Sequence, residues 1–133
     1  MPNSLEVSQY MQRKPVTVTA DMNVYDAAQR ILAHKISGVT VVDDDDNLVG
    51  VLSELDCLRA MVSSVYNGKQ PGASLVKDVM TRDVEFNRPG DDIISVASAM
   101  LEKNQRRRPV VEDGKVIGQV TCRQLLGAIR DFS

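Results

Sequence analysis

Tryptophan is absent from the 133 residues, and three Tyr and two Phe are the whole aromatic complement. The stacking platforms that hold single-stranded nucleic acid are therefore poorly supplied. Neither sign of charge dominates: 16 Lys and Arg stand against 18 Asp and Glu, with a pI near 5.3. A general nucleic-acid binder, which carries a basic excess on one face, is not expected. No apolar run approaches the ~20 residues of a membrane span. No basic, apolar and small-residue leader opens the chain, whose stretch Met1 to Tyr10 is polar and resembles a helix start. The expectation is a soluble cytoplasmic protein with no membrane partner. Cys57 and Cys122 have neither a metal-ligand spacing nor the density of a disulfide-stapled fold, and read as reduced packing residues. With one histidine, no Gly-rich phosphate loop and no nucleophile elbow, the usual acid-base and covalent constellations are missing. A non-enzyme without metal or cofactor is expected.

What is present is a repeat. Val7-Ser8-Gln9-Tyr10-Met11 falls on Val76-Lys77-Asp78-Val79-Met80, a spacing of 69 as 80 less 11. At the same spacing Ala28 falls on Ala97, Leu32 on Leu101, and Val41-Val42 on Val110-Val111. The acidic turn Asp43 to Asn47 is one residue longer than Glu112 to Lys115, after which Gly50 aligns with Gly118 and Ser53 with Thr121. A turn is where a repeat best tolerates a change of length.

Both copies read as the same string. A short helix ending near Met11 or Met80 passes into a strand such as Pro15 to Thr19, with Val84 and Glu85 at the corresponding place in copy two. A longer helix follows. In copy one Asn23 is its N-cap, Asp26 stands three positions on, and Val24, Ala27, Ala28, Ile31 and Leu32 recur at helical spacing. In copy two the helix runs from about Asp92 to Lys103. Two β-branched runs then form a hairpin, Val39 to Val42 with Leu48 to Leu52, and Pro109 to Val111 with Val116 to Val120. A last helix begins at Ser53 or Thr121. The fold expected is α/β (α+β), tandem β-α-β-β-α repeats packed sheet to sheet with pseudo-two-fold symmetry, because a copy of about 60 residues has only a marginal core of its own. The copies are placed at 4–62 and 75–131, together one domain. The polar, turn-rich stretch 63–74 joins them.

The segments Gly50-Val51-Leu52-Ser53-Glu54-Leu55-Asp56 and Gly118-Gln119-Val120-Thr121-Cys122-Arg123-Gln124, with Arg108-Pro109-Val110-Val111 and Met80-Thr81, resemble cystathionine-β-synthase-type (CBS) domains. Their order and duplication make the resemblance specific over almost the whole chain. It implies a pair of CBS repeats, a Bateman module, with clefts between the copies that take an adenine nucleotide. It also implies flat homodimers. A Ser or Thr followed three residues later by Asp holds the ligand's ribose in the family, and Ser53 and Asp56 match. A carboxylate accepts two hydrogen bonds from the 2′ and 3′ hydroxyls, while the helix N-terminus suits phosphate. The same four-residue pattern is also a capping box, worth ~1 kcal/mol with no ligand at all.

In copy two, Thr121 is followed by Gln124, so the resemblance implies a weaker second site there. Basic residues ahead of the Pro-Val strand and beside the Asp position reach phosphates in the family. That carries over to Arg106, Arg107, Arg108 and Arg123, though strand alternation forbids all of Arg106, Arg107 and Arg108 from pointing one way. Adenine is expected near Thr17, Val18, Val84 and Glu85. The expected function is an energy-sensing regulatory module that binds AMP, ADP or ATP, or S-adenosylmethionine, and signals to a separate, unknown protein partner. The alternative is a ligand-free module that docks a partner through its disc face or arginine cluster. Asp43 to Asp46 lack the spacing, central Gly and late Glu of an EF-hand and read as a solubilising hairpin tip. His34 reads as a helix-end residue, and Met11 and Met80 as core or cleft wall.

Overall fold

A computed structural model describes residues 5–132; Ser4, where the first copy is expected to begin, and the residues before it lie outside the described residues. In chain order a 3-10 turn at Val7–Gln9 precedes β1 (Gln12–Arg13), β2 (Thr17–Thr19), α1 (Val24–Ala33), β3 (Gly38–Val42), β4 (Leu48–Ser53) and α2 (Glu54–Tyr66). Then come α3 (Val76–Val79), α4 (Ile93–Glu102), β5 (Arg107–Glu112), β6 (Lys115–Thr121) and α5 (Cys122–Arg130). The chain divides into two compact units. One is Val16–Val84; the other joins the described residues up to Pro15 to those from Glu85 onward.

In the unit Val16–Val84, β2 runs parallel to β3 and β3 antiparallel to β4. The central strand β3 is buried at all five positions, which is why its sequence Gly-Val-Thr-Val-Val is an unbroken run rather than an alternation. Asn23 caps α1 by accepting the Asp26 N–H at 2.8 Å, and Val24, Ala27, Ala28 and Ile31 turn into the core with Val18, Val39, Val41, Leu52 and Cys57. Leu32 does not join them and is 70% exposed. The helix ends at His34, whose Nδ1–H donates to the Arg30 carbonyl at 3.0 Å, the helix-end role its place in the sequence suggests. Asp43 folds the acidic stretch into a turn, its carboxylate accepting the N–H groups of Asp45 and Asn47, each at 2.9 Å.

The second unit has an antiparallel sheet in the order β1-β6-β5, with Gln12 opposite Gln119 and Arg13 opposite Gly118. Its core gathers Val7, Ile93, Val96, Met100, Val110, Val120, Leu125 and Ala128.

The period in the sequence and the unit in space differ in phase. The segment Val76 to Thr81 packs on the hairpin of copy one: Met80 is in that core, and Val51 and Thr81 exchange two N–H···O bonds of 2.9 Å. The equivalent segment of copy one, with Val7 and Met11, packs on the hairpin of copy two. Glycine permits both approaches. A Cβ on Gly50 would stand 2.6 Å from Met80 Sδ and 2.9 Å from the Thr81 carbonyl oxygen, and one on Gly118 would stand 2.7 Å from both Met11 Sδ and the Gln12 carbonyl oxygen. Both methionines are buried to the same degree, in the core as expected.

Three expectations change. Val84 and Glu85 lie in no strand; copy two keeps only an isolated parallel bridge of Asn87 to Val110. Beyond Asn87 the pairing stops: Pro89 has no N–H to donate, and the Asn87 side chain and the Arg88 N–H donate to the Asp91 carboxylate. Helix α2 runs to Tyr66, so the joining stretch is mostly the turn after Asn67, which caps the helix through Ser63. Cys57 is buried, but Cys122 is exposed rather than a packing residue, its Sγ donating to the Gln105 carbonyl at 3.3 Å.

Candidate functional site

The hairpin of each unit delivers its chain directly into a helix, and both junctions close as capping boxes. Ser53 Oγ accepts the Asp56 N–H at 3.0 Å, and Asp56 Oδ2 accepts the Ser53 N–H at 2.9 Å. Thr121 Oγ1 accepts the Gln124 N–H at 3.2 Å, and Gln124 Oε1 accepts the Thr121 N–H at 3.0 Å. The two boxes leave different groups over. Asp56 keeps a second carboxylate oxygen, Oδ1, whose neighbour is Arg59 Nη1 at 3.5 Å. Gln124 has a single, uncharged side-chain oxygen, already accepting the Thr121 N–H, and its other terminal group is an NH₂, which donates and does not accept.

Beside the first box lies a cavity of about 310 Å³, lined by Asp56, Arg59, Ala60, Ser63, Ser74 and Val79. Arg59 escaped the sequence reading. The signal was its position three residues after Asp56, which puts both side chains on one helix face. Thr17 and Val18 lie in the same unit on β2. Val18 has no exposed surface and belongs to the core, and the Thr17 carbonyl accepts Arg30 Nη1–H at 2.7 Å. Val84 is the last residue of this unit and Glu85 opens the other.

In that second unit the arginines part company. Arg106 is exposed and its carbonyl accepts the Cys122 N–H at 2.9 Å, while Arg107 is half-buried opposite Thr121. With exposed Arg123 they gather around the start of α5. Arg108 follows Arg107 on β5 and so faces the opposite side of the sheet, where it is 5% exposed. Its Nε donates to Gln105 Oε1 at 2.7 Å and its Nη2 to Glu85 Oε2 at 3.0 Å. Lys103 Nζ holds the other Glu85 oxygen at 2.6 Å. The Lys103 hydrogen bond, reinforced by the charges of Lys103 and Arg108, keeps the Glu85 carboxyl below its ordinary pKa, and Lys103 is raised in return. Arg108 and Glu85 are thus engaged with each other inside one unit.

The family model for the CBS domain matches residues 7–63 and again 76–131. The chain belongs to the CBS-domain family. Among solved structures, CBSX2 of Arabidopsis thaliana in complex with AMP is 31% identical, with a TM-score of 0.82 over 94% of this chain and 96% of that one. An uncharacterized protein of Methanocaldococcus jannaschii is 27% identical over 115 residues, 86% of this chain and 39% of its own length. The transcriptional repressor CcpN of Bacillus subtilis is 35% identical over 117 residues, 83% of this chain and 53% of its own. The CBS pair thus spans about half or less of these two curated relatives. Among the described residues no helix is long and apolar enough to cross a membrane.

Proposed function

We propose that this CBS pair is a regulatory module that binds an adenine nucleotide, with Ser53 and Asp56 holding the ribose. The observation that carries the reading is the second carboxylate oxygen of Asp56: the capping box uses Oδ2 and leaves Oδ1, beside Arg59, at the edge of a cavity. Capping and ribose recognition therefore use different atoms and coexist. The AMP complex of the similar CBSX2 supports AMP as the first ligand to try, ahead of ADP, ATP and S-adenosylmethionine. Arg106, Arg107 and Arg123 are the arginines of copy two assigned to phosphate. Arg108 is left to its ion pair. Thr121 and Gln124 form the poorer site because Gln124 has no charge and no second oxygen beside the one in its capping box.

Calorimetric titration of each nucleotide into the wild-type protein and Asp56→Ala tests the reading. AMP is expected to bind near one per chain and to lose at least tenfold in affinity, ~1.4 kcal/mol, in the variant. Equal affinity in both proteins would remove Asp56 from the site, and silence from every ligand would remove the function.

A second feature favours docking alongside binding. Leu55, Leu58, Val62 and Tyr66 on α2 are 64%, 58%, 58% and 90% exposed, an apolar face beyond what single scattered residues need. We assign it to a second copy of the chain, the homodimer the family resemblance implies; signalling to a separate protein, in the cytoplasm, completes the proposal.

A further inference from the structure

The cavity beside the first capping box contains one cation, Arg59, which the reading above leaves without a role. Every residue lining it belongs to the unit Val16–Val84, so its geometry is set within one unit. Its size falls at the small end of ligand pockets, about 300–1,000 Å³. Asp56, Arg59 and Ser63 follow one another along α2 at steps of three and four residues and project from one face. With ~1.5 Å of rise per residue, Arg59 stands about 4.5 Å and Ser63 about 10 Å along the axis from Asp56.

The Arg59 side chain is 76% exposed, and Asp56 is its ion-pair partner at 3.5 Å, longer than the ~2.8 Å of a good charge-assisted hydrogen bond. The guanidinium has five N–H donors in a fixed fork, so most of its capacity is unspent. A phosphate arriving beside Asp56 meets a carboxylate of its own sign, and a guanidinium next to that carboxylate offsets the repulsion while offering two parallel donors. The hydroxyl of Ser63 continues the polar stripe, and Ala60 and Val79 supply the apolar wall.

We propose that Arg59 binds the phosphate of the nucleotide whose ribose is held by Asp56, so that one stripe of α2 reads both groups. This rests on the ribose assignment above and adds a cation to it from the first copy itself. The test is the difference between AMP and adenosine, titrated into the full wild-type chain, Arg59→Ala, Arg59→Lys and Asp56→Ala. Arg59→Ala is expected to weaken AMP by about tenfold and adenosine by less than about twofold, the loss of a bidentate charged contact. Arg59→Lys should recover part of the AMP affinity, because a cation remains without the fork. Asp56→Ala should weaken both ligands. Arg59 is on the surface, so the two Arg59 variants should melt with the wild type. Equal losses for AMP and adenosine, or none for either, would reduce Arg59 to a surface helix pair. Wild-type protein that binds the two ligands equally would overturn the phosphate assignment while leaving the ribose reading standing. Binding of neither would end both.

Discussion

The contrast between Asp56 and Gln124 turns on one atom. Each closes a capping box with one oxygen, and only the carboxylate has another to offer. Gln124→Asp should therefore keep the helix cap and create a second acceptor, raising the AMP stoichiometry from about one toward two in calorimetry; an unchanged stoichiometry would show that acceptor number does not limit the second site. Glu85 carries a different prediction. Its carboxyl is held below its ordinary pKa by Lys103 and Arg108, so its charged form is favoured by folding. That contribution is complete above the ordinary carboxylate value and is lost as pH falls through the lowered one. Lys103, raised by the same contact, contributes below its ordinary value and loses that contribution as pH climbs through the raised one. Urea midpoints should fall between about pH 5 and pH 3, and Glu85→Gln should flatten that acid limb. The same substitution leaves a buried guanidinium short of its counter-charge, so its melting temperature should drop even at pH 7, by several degrees or more for a protein of this size.

At the scale of elements, the hairpin-to-helix junctions decide both stability and binding. Ser53→Ala and Thr121→Ala remove equivalent caps, and each should cost about 1 kcal/mol in chemical denaturation. Only Ser53→Ala should also weaken AMP. If both variants lost affinity equally, the asymmetry between the junctions would be wrong. Most of this level was legible in the residues. Asn23 with Asp26, the β-branched runs and the Ser53 and Thr121 starts are local signals, and the helices and hairpins follow them within one or two positions. Other features depend on partners far along the chain. Nothing local says that Val76 to Thr81 packs against the hairpin of copy one, because period and packing share the same apolar positions. In copy two the pairing stops after Asn87, where Asp91 accepts the Asn87 side chain and the Arg88 N–H. The run Arg106, Arg107 and Arg108 shows its charge in the sequence, but the ion pair of Arg108 needed Glu85 from 23 positions earlier. Arg59 needed only helical spacing and was legible all along.

For the whole molecule, the leucines outside both cores are the remaining clue. Leu32 and Leu101 are equivalent in the two copies and 70% and 78% exposed, and Leu126 on α5 is 71% exposed. Ala97, Met100, Leu101, Leu125, Leu126 and Ile129 line an apolar cavity of about 260 Å³ on α4 and α5, while the Leu55 to Tyr66 face of α2 lines one of about 520 Å³. Two copies of one helical design thus leave apolar surface open, and isologous pairing of chains buries such surface at no cost in specificity to a foreign partner. Burying each leucine is worth about 1.5–3 kcal/mol, enough for a few to drive association once the entropy of docking is met. Leu58→Glu and Leu126→Glu put a charge into these faces without touching either core, so each should leave the thermal melt of the isolated chain nearly intact. Light scattering after gel filtration should give a dimer for the wild type and a monomer for the variants. A wild type that stays monomeric at about 100 μM would instead reserve these faces for a different protein, and the same substitutions should then abolish capture of that partner while AMP binding at Asp56 continues.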